Sequence, residues 1–321
     1  MVDLVHNIPI GSGAIGDDMK LQWIAAQSAA LVWALTSCAG GSSAPFAPSP
    51  PPTDYTAFGA ASLVTISGYT GDAMEPFISK DAQFLFFNNS NDPTVNTDLL
   101  YASRVDDLTF TYLGPVSGAN SPSLDGVASL DSLGNFYFIS TRSYSTSLST
   151  IYSGRFAAGT GSVSSVALVP GVSLAQAGML NFDAEISSDG NTLWFVDSHF
   201  TNGAPDTADL VIAEKQASGF VRRPDSASLL QNVNTSTLEY APAISVDGLE
   251  LFFTRYNSTL AGSTPVIYRA VRSTVNSAFD VPQRVAAATG FVEGPTLSAD
   301  GHQLYFHKKV NGQFVIYRVA R

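Results

Sequence analysis

A single twelve-residue pattern recurs five times along this chain, and that repetition limits the fold more than any other feature. The pattern is Pro-x-(Ile/Leu)-Ser-x-Asp-Gly-x-x-Leu-x-Phe. It stands complete at residues 242–253 (PAISVDGLELFF) and 295–306 (PTLSADGHQLYF), and lacks only its proline at 184–195 (AEISSDGNTLWF). At 76–87 (PFISKDAQFLFF) Ala82 replaces the glycine, and at 128–138 (ASLDSLGNFYF) one residue is missing. The serine positions fall at 79, 131 (an Asp), 187, 245 and 298, so the unit is 52 to 58 residues long.

Each copy reads as two strands around a tight turn. The apolar residues before Ser make an inner strand. Asp then bonds to nearby backbone N–H groups, Gly supplies a positive φ, and Leu-x-Phe opens a second strand. A third strand follows at Leu99–Tyr101, Thr150–Tyr152, Leu210–Ile212, Val266–Tyr268 and Val315–Tyr317, and a weaker fourth after it. Four strands per unit of about 50 residues, repeated radially, predict an all-β fold: a single β-propeller of five blades. The last unit stops after its third strand. Residues 57–64 match the fourth strand at 278–285 with a constant offset of 221, so an N-terminal strand is expected to complete the last blade beside Phe314–Val319 and leave no open edge.

The repeat resembles the PD40 family of WD40-like propeller repeats, of the type found in TolB. The resemblance covers residues 55–321 and rests on Ser-x-Asp-Gly followed by Leu-x-Phe, clear in three copies and partial in two. It implies the propeller fold and an extracytoplasmic address. TolB has an additional helical domain and six blades, neither legible here, so its role does not carry over.

The first 54 residues read as processing and linker. Leu21–Thr36 is a mostly apolar stretch of 16 residues with polar breaks at Gln22, Gln27 and Ser28, too short for a comfortable membrane span and suited to a signal-peptide core. It runs into Leu35-Thr36-Ser37-Cys38-Ala39, which resembles a bacterial lipobox, and Cys38 is the only cysteine of the chain. Lipidation of Cys38 is expected, with residues 1–18 an over-extended start, 19–37 a lipoprotein signal, 38–54 a Gly/Ser/Pro-rich tether and 55–321 the propeller. The implied location is the bacterial cell envelope, in the outer membrane where one exists, the chain being a monomer held to the membrane by its lipid.

Sixteen Lys and Arg against 27 Asp and Glu give a net charge of −11, which excludes the basic footprint of a nucleic-acid binder. No cofactor motif is present: no P-loop, no Gly-x-Gly-x-x-Gly after a strand, no His-Glu-x-x-His and no Gly-x-Ser-x-Gly. His199, His302 and His307 fall on separate segments without ligand spacing, so no metal is expected and they read as surface residues. Asp189, Asp247 and Asp300 repeat within the turns and read as structural.

Acids near the starts of the inner strands are the candidate site: Asp72, Glu75, Asp125, Asp183, Glu239 and Glu293. In a propeller these starts crowd one mouth of the channel, where carboxylates suit a cation, a sugar or a basic peptide. They do not share one register relative to the prolines, which predicts that some turn sideways between blades. Two functions fit this pattern. The first is a binding or scaffold module for an envelope protein or glycan. The alternative is a glycoside-active enzyme using Asp72 or Glu75, Asp125, and Asp183 or Glu185, which requires carboxyls about 5–10 Å apart in one cleft.

Overall fold

The computed structural model describes residues 53–321 except 93, 94, 96 and 202; the leader, Cys38 and nearly all of the tether lie outside the described residues. Strands dominate, with only two four-residue helices among the described residues. Three short strands come first: β1 (Asp54–Tyr55), β2 (Ser62–Leu63) and β3 (Thr65–Ser67). Five antiparallel units follow. Unit 1 holds β4 (Met74–Ile78), β5 (Phe84–Asn88), β6 (Leu99–Arg104) and β7 (Thr109–Pro115). Unit 2 holds β8 (Asp125–Leu130), β9 (Asn135–Ser140), β10 (Ile151–Ala157) and β11 (Ser162–Leu168). Unit 3 holds β12 (Met179–Ile186), β13 (Thr192–Thr201), β14 (Ala204–Gln216) and β15 (Gly219–Arg222). Unit 4 holds β16 (Leu238–Ile244), β17 (Glu250–Tyr256), β18 (Val266–Val271) and β19 (Gln283–Val285). Unit 5 has three strands of its own, β20 (Val292–Leu297), β21 (Gln303–Val310) and β22 (Gln313–Ala320).

The fourth strand of unit 5 comes from the N-terminal segment: β2 pairs antiparallel with β22, Ser62 opposite Arg318 and Leu63 opposite Tyr317. The same segment does more than the repeat pattern foretold. β1 adds parallel to β19 of unit 4, and β3 adds parallel to β7 of unit 1. Within 15 residues the chain thus places an extra strand on three sheets, covering edges that would otherwise offer unpaired backbone groups.

The core lies between sheets rather than inside one of them. Five apolar clusters each join two units: Phe86 with Phe136, Ile139 with Leu193, Trp194 with Phe253, Phe252 with Phe306, and Phe87 with Tyr305. Leu-x-Phe supplies these side chains, which is why the motif needs bulk at both positions. The first strand of every unit is buried on both faces or nearly so.

The Ser-x-Asp-Gly turns behave as their chemistry dictates. In the third, Ser187 donates to Asp189 (2.6 Å), whose same oxygen accepts the Asn191 N–H (3.0 Å), and Gly190 has a φ of 74°. In the first copy Ala82 must take the glycine conformation, at φ 56°.

Candidate functional site

Four residues before each anchor position, at Glu75, Val127, Asp183, Ala241 and Gly294, the backbone turns left-handed, with φ between 47° and 62°. Each of the five first strands carries a β-bulge at that point. A bulge inserts a residue and redirects the side chains that precede it. A left-handed residue with a Cβ costs about 1–2 kcal/mol, so something must hold it. In four cases a side chain from the preceding unit accepts the freed N–H. His307 Nδ1 takes that of Glu75 (3.1 Å), Asn88 that of Val127 (3.3 Å), Asp183 that of Ala241 (2.9 Å) and Thr254 that of Gly294 (3.2 Å).

Because Glu75 and Asp183 occupy the same bulge position on β4 and β12, their carboxyls are aimed alike, and they meet Glu293 from β20. All three line a cavity with an empty volume of about 630 Å³ that merges with solvent. Apolar side chains, among them Leu180, Phe182 and Phe200, form most of its wall, and Asn91, Asn181 and Tyr240 add polar groups. A second, smaller space is lined by residues of all five first strands, Glu75 and Asp183 included.

The hydrogen bonds assign most of the oxygens. Asn91 donates to Glu75 Oε1 (2.8 Å). The Tyr240 hydroxyl donates to Glu293 Oε1, and the His307 ring nitrogen Nε2 lies 3.2 Å from Glu293 Oε2. His307 accepts at Nδ1, so in this geometry its proton is on Nε2 and points at Glu293. Asp183 Oδ2 caps Ala241, which leaves Oδ1 toward the cavity.

Burial dominates the electrostatics. It raises the proton affinity of Glu75, with Glu293 adding to the effect and His307 and Asn91 opposing it. Asp183 is pushed well above the usual carboxylate range, first by burial and then by Glu75. Burial also raises Tyr240, with Glu293 next in effect, so its phenol stays a donor. For His307 burial works against the charged form, yet Glu75 and Glu293 push its pKa up. Two carboxyls whose proton affinity burial raises are thus gathered beside an apolar wall.

The other acids singled out in the sequence do not line this cavity. Asp72 Oδ1 accepts the Phe314 N–H (3.0 Å) and anchors β22 to the start of unit 1. Asp125 is fully buried against Arg142 (2.7 Å) and Ser121. Glu239 is held in the same way by Arg255 (2.8 Å), Thr235 and Thr237. Glu185 pairs with Lys80 (2.8 Å) and lines the second, smaller space with Glu75 and Asp183. Asp125 and Glu185, named above as candidate glycosidase carboxylates, each have a basic partner, Arg142 and Lys80. The expectation of an exposed His307 is corrected too, since the ring is wholly buried. Its position opposite Glu293, its cross-strand partner on β20, was the signal that pointed inward. Tyr240 and Asn91 carried no sequence signal, since each joins the site through the bulge or a loop.

No protein-family model and no curated protein matches this chain. Among solved structures it is similar to Zg3597, a family 117 glycoside hydrolase from Zobellia galactanivorans. The identity is 11%, with 81% of this chain and 90% of that one covered at a TM-score of 0.54. It is also similar to the catalytic domain of the Coprinopsis cinerea GH62 α-L-arabinofuranosidase, at 9% identity, 84% and 96% coverage and a TM-score of 0.52. TolB from Acinetobacter baumannii matches at 14% identity over 78% of this chain and 55% of its own length, with a TM-score of 0.43; the chain thus spans about half of that protein. At these identities the likeness is one of fold, and the fold is nearly all β with several propeller-like sheets.

Proposed function

We propose that this chain is a lipid-anchored envelope protein whose five units close as the blades of one propeller and whose acidic mouth is a binding site for an envelope glycan or a group carried on a partner protein. The observation that carries this reading is the convergence of Glu75, Asp183 and Glu293, from three separate units, on one largely apolar cavity. Small-molecule sites have this make-up, an apolar wall with few placed polar groups. Ring closure is supported by the pairing of β2 with β22 and by the apolar cluster that joins units 5 and 1. The anchor rests on the lipobox-like stretch at Cys38 and on the proline-rich tether after it.

Glycoside hydrolysis is the second reading, favoured by one observation: Glu75 and Asp183 face the same cavity and burial raises the proton affinity of both, the direction a general acid requires. Hydrolysis also needs an ionised carboxylate with a free lone pair in that cleft. Glu293 has each oxygen engaged, by Tyr240 and by His307, so binding is the better account.

The test uses the full chain in detergent. Envelope glycan fragments are titrated by calorimetry, and the products are followed by chromatography. Saturable binding without turnover, lost in Asp183→Leu, supports the module; turnover abolished by Asp183→Asn transfers the proposal to the enzyme. The anchor is tested separately. Cys38→Ser should abolish fatty-acid labelling and membrane sedimentation, and a variant that still sediments in full would make the apolar stretch itself the anchor.

A further inference from the structure

The cavity holds three carboxyls from three units, and the residues lining it include no lysine or arginine. Elsewhere among the described residues every buried acid is matched: Asp125 has Arg142, Glu239 has Arg255 and Glu185 has Lys80, while Asp131 has no cation but accepts three N–H donors from Leu133 and Asn135. The mouth breaks that rule. Its one basic group, His307, accepts the Glu75 N–H at Nδ1, and protonation there would sacrifice the latch on the bulge. Oδ1 of Asp183, a side chain more than nine-tenths buried, is turned to the cavity without a partner of its own. We propose that the missing cation comes with the ligand: the cavity takes an organic ammonium carried on an apolar body, its charged head against Asp183 and Glu75 and its body against Phe182 and Phe200.

This deepens the binding reading and rests on it. The head is the point of specificity. An ammonium has three donors, and the carboxyls of Asp183 and Glu75 can receive two of them, with Glu293, already held by Tyr240 and His307, adding its charge behind. A metal ion is a poorer occupant, because no three His, Cys, Asp or Glu side chains among the described residues are arranged to hold one. The wall fixes the body of the ligand: rings and branched side chains exclude water and reward apolar contact.

A pH dependence follows. The groups facing Asp183 from the packed elements are Glu75 on β4, Glu293 on β20 and Tyr240 on β16. His307 on β21 faces Glu75 and Glu293. Burial raises the proton affinity of Asp183 and Glu75, and an ammonium beside them favours their ionised forms. Binding then releases protons and strengthens as pH rises, while a primary amine keeps its own charge throughout, as lysine does with a pKa of about 10.4.

The experiment compares 2-phenylethylamine with its neutral isostere 2-phenylethanol, titrated calorimetrically into the full chain in detergent between pH 5 and 8. The amine is expected to bind roughly tenfold tighter than the alcohol at pH 8, about 1.4 kcal/mol, with the gap closing toward pH 5. In buffers of different ionisation enthalpy its heat should report proton release. Asp183→Asn keeps an oxygen to accept the Ala241 N–H but loses the charge. It should erase the amine's advantage and leave the alcohol unchanged. Equal affinity for both probes at every pH overturns the ammonium assignment and leaves the cavity as a neutral site. Equal loss of both probes in Asp183→Asn overturns it as well, because the residue would then be structural. Binding of neither probe to folded protein overturns the cavity reading together with this one.

Discussion

The two ends of the inner strands use the same residue types for opposite purposes. At the turn end, carboxylates are ionised and matched. Ser187, Ser245 and Ser298 donate to Asp189, Asp247 and Asp300 and hold their pKa values below the ordinary range. Lys80 reaches from unit 1 to Glu185 of unit 3, where Ser129 donates to the second oxygen (2.9 Å). At the mouth, Glu75 and Asp183 lie six residues before Asp81 and Asp189, in buried first strands and without a lysine or arginine partner, and burial raises their pKa values. Hydrogen-bond donors decide the charge at one end and desolvation decides it at the other. A matched end serves the fold. An unmatched one carries a desolvation cost that a proton or a cationic ligand relieves.

The largest expected effect is at the matched end. Lys80→Ala leaves the Glu185 carboxylate buried without its cation and should cost about 3–5 kcal/mol, read from urea unfolding. Lys80→Met with Glu185→Met should recover most of that loss. A single variant that loses less than about 1 kcal/mol would show that the pair carries little and would erase the contrast between the ends.

The mouth responds to bulk. A Cβ at Gly294 would sit 2.5 Å from Glu75 Oε2 and 2.9 Å from His307 Nδ1, on backbone with φ 62°. Gly294→Ala should therefore cost about 1–3 kcal/mol by thermal melting. An unchanged melting temperature would mean that the three side chains are not packed as described. A gain is expected where the turn pattern is broken: Ala82→Gly relieves a left-handed alanine and should stabilise by about 1 kcal/mol, some 2–4 °C in a domain of this size.

The subtlest effect is in the pH profile. A carboxyl whose folded pKa is raised stabilises the fold below its unfolded pKa, near 4, and loses that contribution as pH rises through the folded value. The turn aspartates, with lowered values, act in the opposite sense and lose theirs only as pH falls below about 4. Wild-type stability should decline from pH 5 toward pH 8, and Asp183→Asn should flatten that decline while changing stability near pH 4 by less than about 0.5 kcal/mol. Parallel profiles for the two proteins would place the Asp183 charge in water and not in a dry cavity.

Much of the fold was legible because the repeat is written in turn chemistry. Ser-x-Asp-Gly, intact or altered, marks the first hairpin of each unit, and the strand that follows it supplies apolar bulk to the contacts between sheets. The offset of 221 places Ser62 and Leu63 where Gln283 and Arg284 stand, and both pairs are fourth strands against a third strand. The extra strands β1 and β3 were not legible, since two or three residues bear no periodic signal. The site was half legible. Acids near the strand starts could be counted, but their facing was read from an unbroken period of two, and the bulge breaks that period. Glu75 and Asp183 share a register counted from the serine and not from the proline, which hid their equivalence.

By itself the sequence determined the number of units, the place of each turn and the bulk between sheets, because these depend on neighbours within a few residues. Only the tertiary structure decided which acids have cations and which do not. Arg142 lies 17 residues from Asp125 and Lys80 lies 105 from Glu185, while His307 meets Glu75 across 232. Charge matching at those separations is set by how the sheets come together, and burial, which determines the protonation of Asp183 and Glu75, exists only once they have.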